Sequence, residues 1–142
     1  MKIAIGADHA GFEAKENIKK YLSKEHTIID FGTDSLASVD YPKFGHLVAK
    51  AVSNKDADVG IVVCGSGIGI SIAANKMKGI RAALCTSIEH AEMSKKHNNA
   101  NILALGARMT TYDNMIMIID KWLEEEFEGG RHQNRIEQIE II

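Results

Sequence analysis

The 142-residue sequence has little proline, cysteine or tryptophan, with one, two and one of each, and no long apolar run. A membrane-spanning helix needs about 20 consecutive apolar residues, so no transmembrane segment is predicted. Two cysteines, Cys64 and Cys85, are too few for a disulfide framework, which favours free thiols in a reducing compartment. A strand-like pattern begins at residue 2 without the features of a secretory signal peptide, so a cytoplasmic protein is expected.

The sequence also lacks an excess of charge of either sign. Its 17 Lys and Arg against 19 Asp and Glu leave a formal net charge of -2. Nucleic acids and anionic membrane surfaces attract strongly basic proteins, so neither is expected as a partner. Apolar residues make up 45% and charged residues 25% of the chain, and its length suits a single domain over residues 1–142.

Short apolar runs alternate with helical patterns along the whole chain. The predicted strands are residues 2–7, 27–31, 60–63, 80–85 and 101–105. The predicted helices are residues 12–24, 43–54, 70–77, 87–97 and 111–127. Five strands separated by helices predict an α/β sandwich around a parallel sheet.

The most distinctive stretch is V-V-C-G-S-G-I-G-I-S-I-A-A-N-K, residues 62–76. It predicts the end of a strand, a turn made possible by alternate glycines, and the start of a helix. Free backbone N–H groups and the helix dipole favour an anion at such a place. They would also stabilise a thiolate on Cys64, which is predicted to lie at the mouth of this loop. The pattern G-x-G-x-G departs from the dinucleotide fingerprint G-x-G-x-x-G, so a dinucleotide site is the weaker interpretation, and a turn without a ligand is the alternative.

Other polar residues follow the predicted strands. Ligands of parallel α/β sheets bind at the carboxyl ends of the strands, where Asp8, His9 and Arg108 would join Cys64. A carboxylate, an imidazole, a cation and a thiol indicate acid–base chemistry on an anionic small molecule. Each also has an ordinary explanation, because Asp8 and His9 can satisfy a turn and a lone cysteine is often simply buried.

Three residues in the second half of the chain have two interpretations each. His97 follows a helix, where the helix dipole alone would stabilise a cation. Arg131 and Arg135 are four residues apart after a double glycine, so they would share one face of a helix. Two converging guanidinium groups can hold a phosphate, and the alternative is a solvated basic tail.

Six motifs, in a fixed order, cover nearly the whole chain. They are G-A-D-H-A-G-F, D-Y-P, V-V-C-G-S-G-I-G-I-S-I-A-A-N-K, G-I-R-A-A-L-C, K-H-N-N-A-N-I-L-A-L-G-A-R and E-G-G-R-H-Q-N-R-I. This set resembles the sugar-phosphate isomerase family that includes ribose-5-phosphate isomerase B and galactose-6-phosphate isomerase. The resemblance implies a Rossmann-like three-layer sandwich with a five-stranded parallel sheet. It also implies interconversion of ribose 5-phosphate and ribulose 5-phosphate, in the pentose phosphate pathway, without a metal or cofactor.

The resemblance assigns roles to individual residues. Cys64 would be the general base that moves a proton between C1 and C2. Some members use a glutamate just after the last glycine of the loop instead, but this chain has Ile70 there and resembles the cysteine branch. Ser66 would serve the substrate oxygens, and His97 and Asp8 would open the furanose ring. The implied substrate-binding residues are His9, Tyr41, Gly65, Gly67, Ile68, Gly69, Asn98, Arg108, Arg131 and Arg135. Within that set, the amides of residues 65–69 would hold the enediolate, and the arginines and His9 would hold the phosphate.

The resemblance also implies a homodimer or homotetramer whose site lies between subunits, with His97, Asn98 and Arg108 acting across the interface. Three alternatives remain at this point. The substrate could be a hexose 6-phosphate such as allose or galactose 6-phosphate. The protein could sense an anion without catalysis. A redox cysteine protein is disfavoured, because Cys64 has no C-x-x-C partner.

Overall fold

The computed structural model describes residues 1–141. Its strands are β1 (Lys2–Ala7), β2 (Thr27–Asp30), β3 (Val59–Cys64), β4 (Ala82–Leu84) and β5 (Ile102–Gly106). Its helices are α1 (Phe12–Leu22), α2 (Tyr41–Ser53), α3 (Ile68–Asn75), α4 (Ile88–Lys96), α5 (Tyr112–Glu124) and α6 (Arg131–Glu137). Among the described residues, none of these helices combines the length and apolar character needed to span a bilayer.

All five strands are parallel, in the order β2-β1-β3-β5-β4. The chain leaves β1 toward one edge of the sheet, and after β3 it builds the other edge. Neighbouring loops therefore diverge at the carboxyl ends of β1 and β3 and leave a crevice between them, which is where such sheets bind ligands. The predicted α/β fold with a five-stranded parallel sheet is confirmed.

Helices pack against apolar side chains on both faces of the sheet. On β3, Ile61 and Val63 pack with α1, α4 and α5, while Val62 and Cys64 pack with α2 and α3. Neighbouring residues of a strand point to opposite faces, so a continuously apolar strand produces two cores. The result is the three-layer sandwich expected from the sequence.

Most element boundaries lie one to three residues from the predicted ones, including those at α3 and at the end of α5. Helix α3 begins at Ile68, two residues before the predicted start, so Gly69 belongs to the helix and Cys64 is the last residue of β3. Glycine is a poor helix former, which is why the pattern predicted a loop there. Helix α5 ends at Glu124 instead of residue 127, because the backbone of Glu125 is extended.

A buried ion pair holds the end of β2 beside β1. The side chain of Lys15 is fully buried, and its Nζ donates to both carboxylate oxygens of Asp30, at 2.9 and 2.7 Å. Asp30 also accepts a hydrogen bond from the Gly32 N–H, and the Gly32 carbonyl accepts one from the N–H of Ala7. Burial alone would raise the pKa of Asp30, but hydrogen bonds from Lys15, Lys19 and the Gly32 N–H outweigh it and lower the pKa below the ordinary value.

We expect Asp30→Asn to lower the free energy of unfolding by about 3 kcal/mol at pH 7, because it leaves the buried ammonium of Lys15 poorly compensated. The native pKa of Asp30 lies below the unfolded value of about 3.9, so its contribution is present above about pH 4 and lost as the pH falls through the native pKa. The loss should therefore be smaller at pH 2 than at pH 7. Urea unfolding at both pH values tests this, with the exposed Asp56→Asn as control. Equal stability of the two variants at pH 7 would contradict the prediction.

Candidate active site

The register of the three central strands brings predicted site residues together at the carboxyl ends of the strands. Asp8 follows β1, and its N–H donates to the carbonyl of Val63 at 3.3 Å. Arg108 follows β5, and its N–H donates to the carbonyl of Gly65 at 2.9 Å. Parallel strands end at the same edge, so Asp8, Cys64 and Arg108 lie on three adjacent strand ends.

Cys64 is held by the turn that starts α3. Its side chain is 4% exposed, and Sγ accepts a hydrogen bond from the Gly67 N–H at 3.2 Å. Gly67 is the residue before the helix and has a φ of 79°, a left-handed conformation that favours glycine. An N–H donor and a helix N-terminus both stabilise negative charge on sulfur, so this position suits a thiolate.

The amides of the loop fall into two groups. Gly67 donates to Sγ of Cys64, and Ile68 donates to Oγ of Ser66 at 3.1 Å, so both amides already have partners. The amides of Gly65, Ser66 and Gly69 have no acceptor within residues 1–141. These three N–H groups, two in the loop before α3 and one in its first turn, are available for an anion beside the thiol.

Tyr41 closes one side of the loop. It is the first residue of α2, and its ring carbon Cζ lies 2.5 Å from the place where a Cβ on Gly69 would be. A side chain at position 69 would displace the ring. The third glycine is therefore needed for the close approach of Tyr41.

The side chains that follow β1 are positioned by backbone groups. Asp8 is buried, and its Oδ1 accepts from the N–H groups of Ala10 and Gly11 at 3.0 and 3.1 Å. Nδ1 of His9 lies 3.1 Å from the N–H and 3.2 Å from the carbonyl of Val39. Val39 therefore holds the His9 ring whichever ring nitrogen carries the proton.

Arg108 lies beside the loop of its own chain. Its Nη1 is 3.3 Å from the place where a Cβ on Gly65 would be. The structure therefore places this guanidinium beside Gly65 of the same chain, whereas the resemblance implied that Arg108 acts across an interface.

His97 and Asn98 lie at the opposite end of the sheet, beside the amino ends of the strands. His97 follows the last residue of α4, and the carbonyl of Asn98 accepts from Nε of Arg81, just before β4, at 3.0 Å. Cys64 pairs with Gly106 at the carboxyl end of β5, whereas Asn101 precedes the amino end of that strand. Five residue steps of about 3.3 Å separate these two levels, which is about 16 Å along the sheet.

The two C-terminal arginines lie at the same end of the sheet as His97. Arg131 and Arg135 lie on α6, and the ring of His132 between them stacks on the ring of His97, with centroids 4.2 Å apart. Partial burial, followed by the charges of His97 and Arg131, lowers the pKa of His132 below the ordinary histidine value. The structure therefore brings His97, Asn98 and both arginines together, away from Cys64 of the same chain.

Sequence reasoning missed Glu128 and His132 as neighbours of His97. Oε1 of Glu128 lies 3.7 Å from Nε2 of His97 and 3.5 Å from Nε2 of His132. The four-residue spacing of Glu128 and His132 was a signal, but it did not point to His97. Two imidazoles and a carboxylate within 4.8 Å can ligate a divalent cation, although Arg131 and Arg135 beside them oppose a second positive charge.

A protein family described as Ribose/Galactose Isomerase matches residues 3–139. The chain belongs to this family of isomerases. Ribose-5-phosphate isomerase B of Escherichia coli K12 is 46% identical, over 99% of this chain and 95% of that protein. The resemblance found in the sequence motifs is confirmed.

Solved structures of family members have the same fold. Ribose-5-phosphate isomerase B of Clostridium thermocellum is 54% identical with a TM-score of 0.97, and the match covers 98% of this chain and 95% of that one. Ribose-5-phosphate isomerase B of Mycoplasma genitalium, solved with bound ribulose-5-phosphate, is 44% identical with a TM-score of 0.92, over 97% and 93% of the two chains.

The second cysteine has a different environment. Cys85 is buried, its Sγ lies 3.8 Å from the Ser94 hydroxyl, and burial raises its pKa to about 11, although the contact with Ser94 acts in the opposite direction. Burial therefore keeps Cys85 as the unreactive thiol at pH 8. The two thiols should therefore differ in reactivity although both are buried.

We expect iodoacetamide at pH 8 to alkylate Cys64 before Cys85 in the native protein. The reason is that burial raises the pKa of Cys85 and disfavours its reactive thiolate, whereas Sγ of Cys64 has a backbone N–H donor from Gly67. Peptide mass spectrometry over time gives both rates, and the same reaction in urea serves as the control in which they should converge. Equal rates in the native protein would contradict the assignment.

Proposed function

We propose that this chain interconverts ribose 5-phosphate and ribulose 5-phosphate, with Cys64 as the general base. Membership of the family supports the reaction class. The observation that carries the assignment of the base is the hydrogen bond from the Gly67 N–H to Sγ of Cys64, beside three amides without a protein acceptor.

The proposed reaction moves one proton between two carbons. The Cys64 thiolate removes the proton from C2 of the open-chain aldose, and the electrons of that bond form the C1–C2 double bond as O1 becomes negative. The amides of Gly65, Ser66 and Gly69 stabilise this enediolate, and an anion hole of this kind contributes about 3–4 kcal/mol. The Cys64 thiol then returns the proton to C1, while the O2 proton moves to O1 and C2 becomes the carbonyl carbon.

Ser66 has the geometry to help with the oxygen proton. Its Oγ already accepts from the N–H of Ile68, so the hydroxyl hydrogen is free to donate to a sugar oxygen. This leaves Ser66 as a donor between O1 and O2, in agreement with its predicted catalytic role.

We further propose that two copies of the chain complete each site. One copy supplies Cys64 and Asp8, and the other supplies His97 and the two arginines, which lie about 16 Å along the sheet in a single chain. Exposed apolar side chains near the thiol support this arrangement, because Ile68 and Ile72, one helical turn apart on α3, are 53% and 54% exposed. A two-fold dimer would form two such sites.

A hexose 6-phosphate remains the second candidate substrate, because the matched family is described by both ribose and galactose. Its extra carbon would place the phosphate farther from C1. Comparison of kcat/KM for ribose 5-phosphate with that for allose and galactose 6-phosphates decides between the two sugar lengths.

Cys64→Ala should lower turnover of ribose 5-phosphate by about 10²- to 10⁴-fold, since it removes the base that acts at C2. Affinity for the substrate should change little, because the phosphate is held elsewhere. Ketose formation in the presence of EDTA measures turnover, and Cys85→Ala is the matched control that should stay active. Near-normal turnover of Cys64→Ala would refute the assignment.

Mixed oligomers test the shared site. In a random mixture of Cys64→Ala and His97→Asn chains, half of the dimers are mixed and each has one intact site, so about a quarter of wild-type activity should return. A mixture of Cys64→Ala and Asp8→Asn is the control. One copy supplies both of these residues to each site, so a mixed dimer has no intact site. Activity no higher than that of the parent variants in the first mixture would rule out sharing.

A further inference from the structure

His97, Glu128 and His132 form a cluster at the amino ends of the strands. Two of these residues, Glu128 and His132, have no role so far. We propose that Glu128 is a positioning residue that holds the His97 imidazole for opening of the sugar ring. This inference rests on the proposed function, in which His97 opens the furanose.

The backbone places Glu128 at the end of α4. Its N–H donates to the carbonyl of Lys96 at 3.1 Å, and Lys96 directly precedes His97. The N–H of His97 in turn donates to the carbonyl of Met93 at 2.9 Å. The two residues are therefore brought together by main-chain hydrogen bonds, which do not depend on the charge of either side chain.

Two neighbouring side chains face the His97 ring. Oε1 of Glu128 lies 3.7 Å from Nε2 of His97 and 3.5 Å from Nε2 of His132, and the two imidazole rings stack with an interplanar angle of 14°. At 3.7 Å the carboxylate acts on His97 through its charge, which favours Nε2 of the ring on that side, and the stacked ring restricts rotation. With Nε2 facing Glu128, Nδ1 is the nitrogen left for a sugar oxygen.

The chemistry of ring opening needs such a partner. The O1–H proton leaves to Asp8, C1 becomes a carbonyl carbon, the bond between C1 and the ring oxygen O4 breaks, and O4 takes a proton from the imidazolium of His97. The carboxylate of Glu128 stabilises the positive charge that His97 must hold before it donates. After the step Asp8 releases its proton to solvent and His97 takes one up, so both groups return to their starting states.

The two sugars of the reaction separate ring opening from the chemistry at C1 and C2. Ribose 5-phosphate closes a five-membered ring through O4. Ribulose 5-phosphate cannot, because its carbonyl is at C2 and the oxygen on C5 carries the phosphate. A ring-opening residue is therefore required for ribose 5-phosphate, whereas ribulose 5-phosphate enters the reaction as the open chain and its product can leave as the open aldehyde.

The test compares initial rates from both sugars for Glu128→Gln, which removes the charge and keeps the size. With EDTA in every assay, we expect kcat from ribose 5-phosphate to fall roughly 10- to 100-fold, and the rate from ribulose 5-phosphate to stay close to wild type. Glu128→Asp should recover part of the loss because it restores the carboxylate. Glu126→Gln, an exposed carboxylate in the same segment, is the matched control and should not change either rate.

Two outcomes would overturn the inference. Wild-type rates for Glu128→Gln from both sugars would show that the carboxylate has no part in ring opening. An equal fall in both rates would assign Glu128 to folding or phosphate binding instead. Both leave the proposed function intact, because that proposal is tested separately, by the turnover of the wild-type protein and of Cys64→Ala.

Discussion

The parallel pairing of β3 with β1 and β5 is the constraint on which the candidate site depends. In this register the carbonyl of Val63 accepts from the N–H of Asp8, and the carbonyl of Gly65 accepts from that of Arg108. A shift of β3 by one residue would turn Cys64 to the opposite face, toward α1 and α5. The apolar residues on both faces of β3 oppose that shift, because each packs in its own core.

The polarity of the sheet also divides the predicted site residues. Helices that connect parallel strands run back toward the amino ends of the strands. The end of α4 and the start of α6 therefore lie far from the thiol of the same chain. Under the proposed function, the residues that open the ring and hold the phosphate therefore come from a second copy. Assembly would then be required for catalysis, because neither end of the sheet in a single chain carries both the base and the ring-opening imidazole.

The two cysteines show that backbone donors, more than exposure, distinguish a candidate base from a structural thiol. Both side chains are buried. Cys64 receives an N–H from the turn before α3, whereas burial raises the pKa of Cys85 to about 11 and its contact with Ser94 is long, at 3.8 Å. The strand-to-helix turn therefore gives Cys64 an environment that Cys85 lacks, although both lie near the end of a strand.

Apolar periodicity and glycine turns are local properties of the chain, and they were enough to predict the α/β class, the order of the elements and the residues at the strand ends. The predicted start of α3 was two residues late, because glycine is a poor helix former, whereas Gly69 lies in the helix, where the ring of Tyr41, 28 positions earlier, leaves no room for a side chain. Long-range contacts place Cys64 and His97 at opposite ends of the strands and bring Glu128 to His97. Those relations depend on strand order and on contacts between distant segments, which local patterns do not encode.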